Sequence, residues 1–590
     1  MCGIGGIVYR PGAPLRSEET LQRLAGALSH RGPDGTHIER LGRADLVHTR
    51  LAIIDIAGGD QPLHAGSATL IANGEIYNDP QIRDQLGNQV FTTGSDCESP
   101  LRLWEREGRL FADDLRGMYA IALYDSAEDR LFLVRDPFGI KPLYYSLFPD
   151  GLAFASEPKA LIAAGLGDNA EDAVKRDELL QLQFTTGGET IFPGIYRVLP
   201  GEMLEIQHGD IVGRTRRQAL PRGASERITE EKALERLDTA LINSVQAHER
   251  SDVPFGLFLS GGIDSATVLA AMARVRREHD GNAPLLAWTA GFDVPGAADE
   301  TAHAAALARS AGAEHRILRV TKADFWTHLP AIVASMDDSV ADYAIVPTWL
   351  LAREARQEAT VILSGEGGDE LFAGYGRYRS AARPWWRGGR KMRRHGAFHG
   401  LGVLRETSSR WRDGLAAAER ETRGLDRLTA AQAVDIAEWL PNDLLLKLDR
   451  CLMAHGLEGR TPLLDPVVAE AVWRLPDDLK IRGKYGKYLL RRWVEREMPV
   501  ARPFAPKQGF TVPVGAWIKE QGARLGQLIA AQPAVVDIAH PTKVETLFRS
   551  ASGRRERHAA WALLFYAVWH RVQIEGKSPE GDVFEVLSAR

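Results

Sequence analysis

The strongest constraint on how this chain folds is a change of texture about a third of the way along it. Before residue 209, short apolar runs are punctuated by Gly, Pro, Asn and Asp, the pattern of strands joined by turns. The pattern predicts strands over residues 2–9, 47–55, 69–73, 119–124, 131–135 and 151–155. One early helix is predicted over 18–28, where Leu21, Leu24 and Leu28 share a face. Past residue 226 the spacing predicts a helix over 229–249, a strand over 253–259 and a helix over 265–278. Further strands are predicted over 285–292 and 360–364, with helical stretches between them and a mostly helical remainder. Strands alternating with helices build a parallel, doubly wound sheet. Between the two textures lies GDIVGRTRRQALPRGASE, residues 209–226, which reads as a linker. The expected division is therefore 2–208, a linker over 209–226, and 227–590.

Two domains also suit the length, since 590 residues exceed what one hydrophobic core organises. A formal charge of −5 is small for such a chain and argues against general nucleic-acid binding. No apolar run reaches the roughly 18–20 residues that cross a bilayer. No basic segment followed by an apolar stretch opens the chain, so a secretory signal is not expected. The three cysteines are too few for a disulfide framework and lack metal-site spacing. Cys97 and Cys451 read as reduced thiols of a cytoplasmic protein.

Cys2 has a second reading. Once Met1 is removed it becomes the first residue, and its α-amine, with a pKa near 8, can serve its own thiol as base. Three other segments complete a site for an amino-acid amide. NGEIYN (73–78) offers the Asn73 amide and the Gly74 backbone N–H, a pair that suits an oxyanion hole. HTRLAIID (48–55) places Arg50 at the start of a predicted strand, where a guanidinium can hold a carboxylate. TGSDCE (93–98) offers Asp96 in a turn, suited to an ammonium. Taken singly, Arg50 also reads as a surface ion-pair partner and Asp96 as a cap.

MCGI, HRGPDG (30–35), HTRLAIID, NGEIYN, GSDCE and RDPFGIKPLYY (135–145) together resemble the glutaminase domain of class II amidotransferases. The resemblance implies an α+β N-terminal-nucleophile fold with stacked antiparallel sheets between helices. It makes Cys2 the nucleophile and Asn73 with Gly74 the oxyanion site. Arg50, Glu75 and Asp96 would bind the amino-acid end of glutamine, beside the backbone from Leu51 to Ile54.

In the second part, FGLFLSGGIDSATVL (255–269) is strand, glycine-rich turn and helix, a shape whose backbone N–H groups can wrap an anion. No GxxxxGK[ST] occurs, so a standard P-loop is absent. LSGEGGDELFAGY (363–375) follows the third strand, where open α/β sheets place ligands. Asp264 and Asp369 are plausible Mg²⁺ ligands, since that ion takes one or two carboxylates plus phosphate oxygens.

SGGIDS is similar to the pyrophosphate loop of AMP-forming ATP pyrophosphatases. With LDRCLMAHGLEGRTPLLD (448–465), GKYGKYLLR (483–491) and APKQGFTVPVGAW (505–517), the second part resembles the glutamine-hydrolysing asparagine synthetase family. The resemblance implies ATP as substrate, with Ser260, Gly261, Gly262, Asp264 and Ser265 around its pyrophosphate. Leu259, Ala290, Ser364 and Gly365 would line the rest of the ATP site. Glu366 would assist ammonia attack on an adenylate, and Lys487 would stabilise negative charge, with Lys484 close enough to contest that place. Aspartate is the favoured acceptor, although the same layout also amidates carboxylates of peptides, glycans and secondary metabolites. A homodimer is compatible with the resemblance, a catalytically dead scaffold is disfavoured by the intact residues, and no nucleic acid or membrane partner is expected. One segment stands outside the family pattern: GRYRSAARPWWRGGRKMRR (376–394), with eight basic residues and no acidic one, expected to cover a helix pair in solvent.

Overall fold

The computed structural model describes residues 2–278, 284–292, 300–387, 389, 392–505, 512–550 and 553–589. Met1, whose removal the nucleophile reading requires, lies outside the described residues. So do 506–511 of APKQGFTVPVGAW and 388, 390 and 391 of the basic segment.

Twelve strands form the first part: β1 (Gly3–Tyr9), β2 (Gly35–Arg40), β3 (Ala44–Arg50), β4 (Leu63–Ala65), β5 (Ala68–Ile76), β6 (Gly117–Asp125), β7 (Arg130–Arg135), β8 (Tyr144–Phe148), β9 (Gly151–Ala155), β10 (Ile195–Arg197), β11 (Glu202–Gln207) and β12 (Asp210–Arg216). They pair antiparallel in two six-stranded sheets, ordered β10-β8-β9-β1-β3-β2 and β12-β11-β7-β6-β5-β4. Period-two alternation stacks them. On β6, Ala120 and Ala122 face the core between the sheets, with Ile4, Val8, Leu46 and Leu133. Ile121 and Leu123 point the other way, onto Leu101 and Leu103 of the helix Glu98–Glu107. The helix Glu18–Leu28, capped by the Ser17 side chain, covers the other sheet through Leu21, Leu24 and Leu28. The result is the expected α+β sandwich with helices outside.

Two sequence expectations differ here. The strand predicted over 47–55 ends at Arg50, so Arg50 closes β3 instead of opening a strand. The apolar run continued the pattern, but Leu51 and Ile53 bury themselves against Leu257, Leu259 and Phe138, outside the sheet. Residues 209–226 begin with β12, which pairs with β11, so only the stretch after Arg216 runs without regular structure.

The second part holds a parallel sheet of β13 (Phe255–Phe258), β14 (Leu286–Phe292), β15 (Glu314–Val320), β16 (Val361–Leu363) and β17 (Glu458–Arg460), ordered β15-β14-β13-β16-β17. Helices Glu230–His248 and Ile263–Glu278 flank it. Strand order reverses beside β13, so the loops after β13 and β16 emerge side by side at the carboxyl edge, where such sheets bind ligands. Most of the remainder is helical. In the helix Arg554–Trp569 every residue from Ala559 onward is buried, as expected of a helix apolar on all sides. The two parts share a core: Leu24 and Tyr144 of the first belong to one apolar cluster with Ile332 and Trp561 of the second.

Candidate active sites

Cys2 immediately precedes β1 in the interior, only 7% exposed. Its backbone N–H donates to Asn73 Oδ1 at 3.1 Å, which fixes the Asn73 amide beside it. Asn73 is fully buried, and its Nδ2 has no hydrogen-bond partner among the described residues. A buried amide donor with no acceptor is costly, so this group is set for an oxygen that arrives with a substrate. Burial pushes the Cys2 thiol up, opposed by the amino-terminal charge and by a hydrogen bond from the Leu51 backbone. Gly74 has no room for a side chain: a Cβ there would stand 2.1 Å from the Met118 carbonyl oxygen. Ile54 follows Ile53 in the same loop, half-buried.

The carboxylates expected at the amino-acid end are together. Asp96 accepts from the Ile76 N–H at 2.5 Å, and burial carries its pKa to about 6 despite that bond. Glu75 is raised well above the usual range by burial and then by Asp96, while the Arg460 guanidinium, 3.1 Å away, holds it down. Arg50 is turned onto its own loop. Its Nη1 donates to the Ile56 carbonyl and Asp60 Oδ1, and its Nη2 to the Asp55 carbonyl.

At the carboxyl edge of the parallel sheet, SGGIDS folds on itself. Ser265 Oγ donates to the Ser260 carbonyl at 2.9 Å, and the Gly262 N–H donates to Ser260 Oγ at 3.2 Å. The Gly261 N–H donates to Glu300 Oε2 at 3.1 Å, so a carboxylate sits on the loop that is read as an anion cradle. SGEGGD lies directly against it, because a Cβ on Gly365 would meet the Ser265 nitrogen at 2.8 Å. Asp264 and Asp369, one from each loop, converge on Lys487 Nζ at 2.5 and 2.7 Å. Burial opposes that ammonium, but the two carboxylates outweigh it and lift its pKa to about 12. The Lys487 backbone is left-handed, with φ +55°, a conformation that costs about 1–3 kcal/mol in a residue other than glycine. Lys484, its rival by sequence, is exposed.

A cleft of about 370 Å³ is lined by Gly261, Gly262, Asp264, Asp369 and Lys487 from the expected set, and by Glu300, His303, Arg491 and Arg502, which sequence reading missed. Leu259, Ala290, Ser364 and Gly365 do not line it. Leu259 and Ser364 are buried at their strand ends, and Ala290 is half-buried on β14. Glu366 points elsewhere, to Lys447 Nζ at 3.6 Å. Two carboxylates already converging on one cation are the donor set that Mg²⁺ takes together with phosphate oxygens, so Asp264 and Asp369 fit that ion.

Between the two centres runs a buried ionic seam. Arg31 Nε donates to the Cys2 carbonyl at 3.3 Å, and its Nη groups bond Glu157 and, at 2.7 and 3.0 Å, both oxygens of Asp449. Arg450 bonds Asp449 and Asp337. Arg460 bonds Glu458 at 2.6 Å and reaches Glu75, while its carbonyl accepts from the Ser364 N–H at 2.8 Å. None of these roles was readable beforehand, although HRGPDG and LDRC…EGR contain the residues. The basic segment is partly spent inside the fold: Arg377 and Arg393 both pair with Asp435. Arg393 also lies 4.3 Å from the Trp439 ring centre.

A glutamine amidotransferase domain model matches residues 1–217, and an asparagine synthase model matches residues 236–571. The chain is 35% identical to a Mycobacterium tuberculosis protein provisionally named a glutamine-hydrolysing asparagine synthetase, over 98% of both chains. It is 32% identical to glutamine-hydrolysing asparagine synthetase 1 of Bacillus subtilis, over 98% of this chain and 97% of that one. With asparagine synthetase B of Escherichia coli the identity is 29%, over 88% and 83% of the two chains. An amidotransferase match over the antiparallel sandwich, an asparagine synthase match over the parallel-sheet part, and relatives more than 30% identical over nearly the whole length place this chain in the glutamine-hydrolysing asparagine synthetase family.

Proposed function

We propose that the chain makes asparagine from aspartate and ATP, with nitrogen drawn from glutamine. The observation that carries the reading is the buried, unpaired Nδ2 of Asn73 beside the Cys2 thiol. Cys2 attacks the glutamine amide carbon, and its α-amine, free once Met1 is gone, takes the thiol proton and delivers it to the departing ammonia. Asn73 Nδ2 and the Gly74 N–H meet the oxyanion. Arg50 exchanges Asp60, whose side chain is 58% exposed, for the substrate carboxylate. Asp96 and Glu75 take the substrate ammonium. Water then releases glutamate from the thioester.

At the second centre the SGGIDS backbone, with Ser260 and Ser265, holds the pyrophosphate that leaves as the aspartate side-chain carboxylate attacks the α-phosphate. Leu259, Ala290, Ser364 and Gly365 form the wall behind that loop, toward the nucleoside. Mg²⁺, when bound with ATP by Asp264 and Asp369, neutralises phosphate charge. Lys487 then turns from those carboxylates toward the phosphoryl oxygens. Ammonia displaces AMP from the acyl-adenylate, and Glu366, raised by burial, takes the proton from the attacking nitrogen.

The test is product analysis with glutamine, ATP, Mg²⁺ and aspartate. Asparagine, AMP and pyrophosphate in equal amounts are expected. ADP and phosphate would overturn the adenylate route, and amide formation only on some other acid would overturn the acceptor.

A further inference from the structure

Between the helix Glu230–His248 and β13, residues 249–254 carry the chain from the flank of the parallel sheet into its central strand. This connection belongs to the second part of the molecule, yet its contacts reach the glutamine motifs of the first. Where it begins, the His248 ring lies 4.0 Å from that of Tyr77. Arg250 Nη2 donates to Asp79 Oδ2 at 2.6 Å. The carbonyls of His248 and Arg250 both accept from Arg460 Nη1, on the guanidinium that also pairs with Glu75. Asp252 then makes a two-point grip. Its N–H donates to the Ile53 carbonyl at 3.0 Å, and its Oδ2 accepts from the Asp55 N–H at 2.8 Å. The turn behind the grip is stiffened by Ser251 Oγ, which bonds both the N–H and the carbonyl of Val253. Next to it, the Pro254 carbonyl accepts from the Thr360 N–H at 2.9 Å, which ties the connection to the foot of the sheet.

What Asp252 grips is the turn on which Arg50 rests. The Asp55 carbonyl accepts from Arg50 Nη2 at 2.7 Å and from the Gly59 N–H at 2.8 Å. The Asp55 carboxylate accepts from the Gly58 N–H at 3.0 Å and, in the TGSDCE motif, from the Gly94 N–H at 2.7 Å. The Asp55 backbone is left-handed, with φ +51°, a conformation uncommon outside glycine, so the surrounding bonds hold the shape of the turn. Those to residues 58, 59 and 94 stay within the first part, whereas the bond to Asp252 comes from the other. We propose that Asp252 is a positioning residue for glutamine, lent by the parallel-sheet part, which holds the turn 53–55 so that Arg50 meets the substrate carboxylate. The proposal rests on the preceding reading of Arg50. Asp252 is exposed, so its removal opens no core. Cys2 and Asn73 are fixed to one another by a bond of their own. Arg50 grips the end of the substrate that does not react, so a displaced turn weakens ground state and transition state alike. The loss therefore falls on KM and spares kcat.

Steady-state glutamine hydrolysis and amide synthesis from added ammonium, both by the full-length protein, decide this. Asp252→Ala is expected to raise the glutamine KM about threefold to tenfold, the worth of one hydrogen bond, with kcat unchanged. Asp252→Asn keeps an oxygen that accepts from the Asp55 N–H and should return the KM to the parent value. Synthesis from ammonium should run at the parent rate in both variants, which a general loosening of the sheet would not allow. If Asp252→Ala fails to fold, Asp252→Ser replaces it, since its hydroxyl is one atom shorter and leaves the Asp55 N–H out of reach. A parent-like KM in the shortened variant overturns the proposal. So does a KM raised equally in Asp252→Asn, or an equal loss of ammonium-dependent synthesis. Arg50→Ala separates the two layers. An unchanged glutamine KM there overturns the reading of Arg50, whereas a KM raised there but not in Asp252→Ala overturns the positioning role alone.

Discussion

At the scale of single residues, Cys2 and Asp96 carry the sharpest expectations. Cys2→Ala removes the thiol but nothing from the parallel sheet, so glutamine-dependent synthesis should vanish while synthesis from added ammonium persists. Loss of both, in a folded protein, would contradict the separation of centres. Asp96, at about 6 in the folded protein, must be ionised to pair with an ammonium. kcat/KM for glutamine should therefore fall as pH drops through about 6. Stability has the opposite sign. A carboxyl raised in the folded state stabilises fully below its unfolded value near 4, and that contribution is lost as pH rises through about 6. Asp96→Asn should flatten this limb of the melting-temperature profile relative to the parent. Cys2, Asn73 and Asp96 were readable from sequence because each sits in a short motif whose chemistry is local. Lys447 was not, because its setting depends on Asp342, 105 positions upstream.

At the scale of elements, β17 is the instructive case. It has three residues and no periodic signature, so nothing in the sequence announced it. Its pairing with β16 is what delivers Arg460 to Glu75. Arg460→Met takes from Glu75 and Glu458 the guanidinium with which both carboxylates pair, and such losses cost about 3–5 kcal/mol. Chemical denaturation should show that drop, together with a raised KM for glutamine. The helix Glu18–Leu28 and the strand after the helix Glu230–His248 were legible because burial on one face imposes a period. The strand expected over 47–55 failed for a reason that sequence does not carry: Leu51 and Ile53 are apolar for the sake of the other half of the molecule.

At the scale of the whole molecule, the shared apolar cluster and the seam through Arg31, Asp449 and Arg450 bind the halves into one body. Calorimetry should show a single cooperative transition in the unaltered protein. Asp449→Asn strips Arg31 and Arg450 of a common partner and loosens the bond from Arg31 to the Cys2 carbonyl. That variant should melt lower and consume more than one glutamine per amide formed; an unchanged ratio would mean the seam does not guard the transfer. The two-domain plan was visible in the change of texture, but its joint was not, since the Arg31–Asp449 pair spans 418 positions. Arg460 adds a consequence for anyone wishing to recombine such proteins. Its side chain serves the glutamine centre while its main chain anchors the loop of the other, so neither half carries a complete site boundary of its own. Chimeras that splice a foreign amidotransferase half onto this sheet should work only if the donor brings an acid where Glu75 stands.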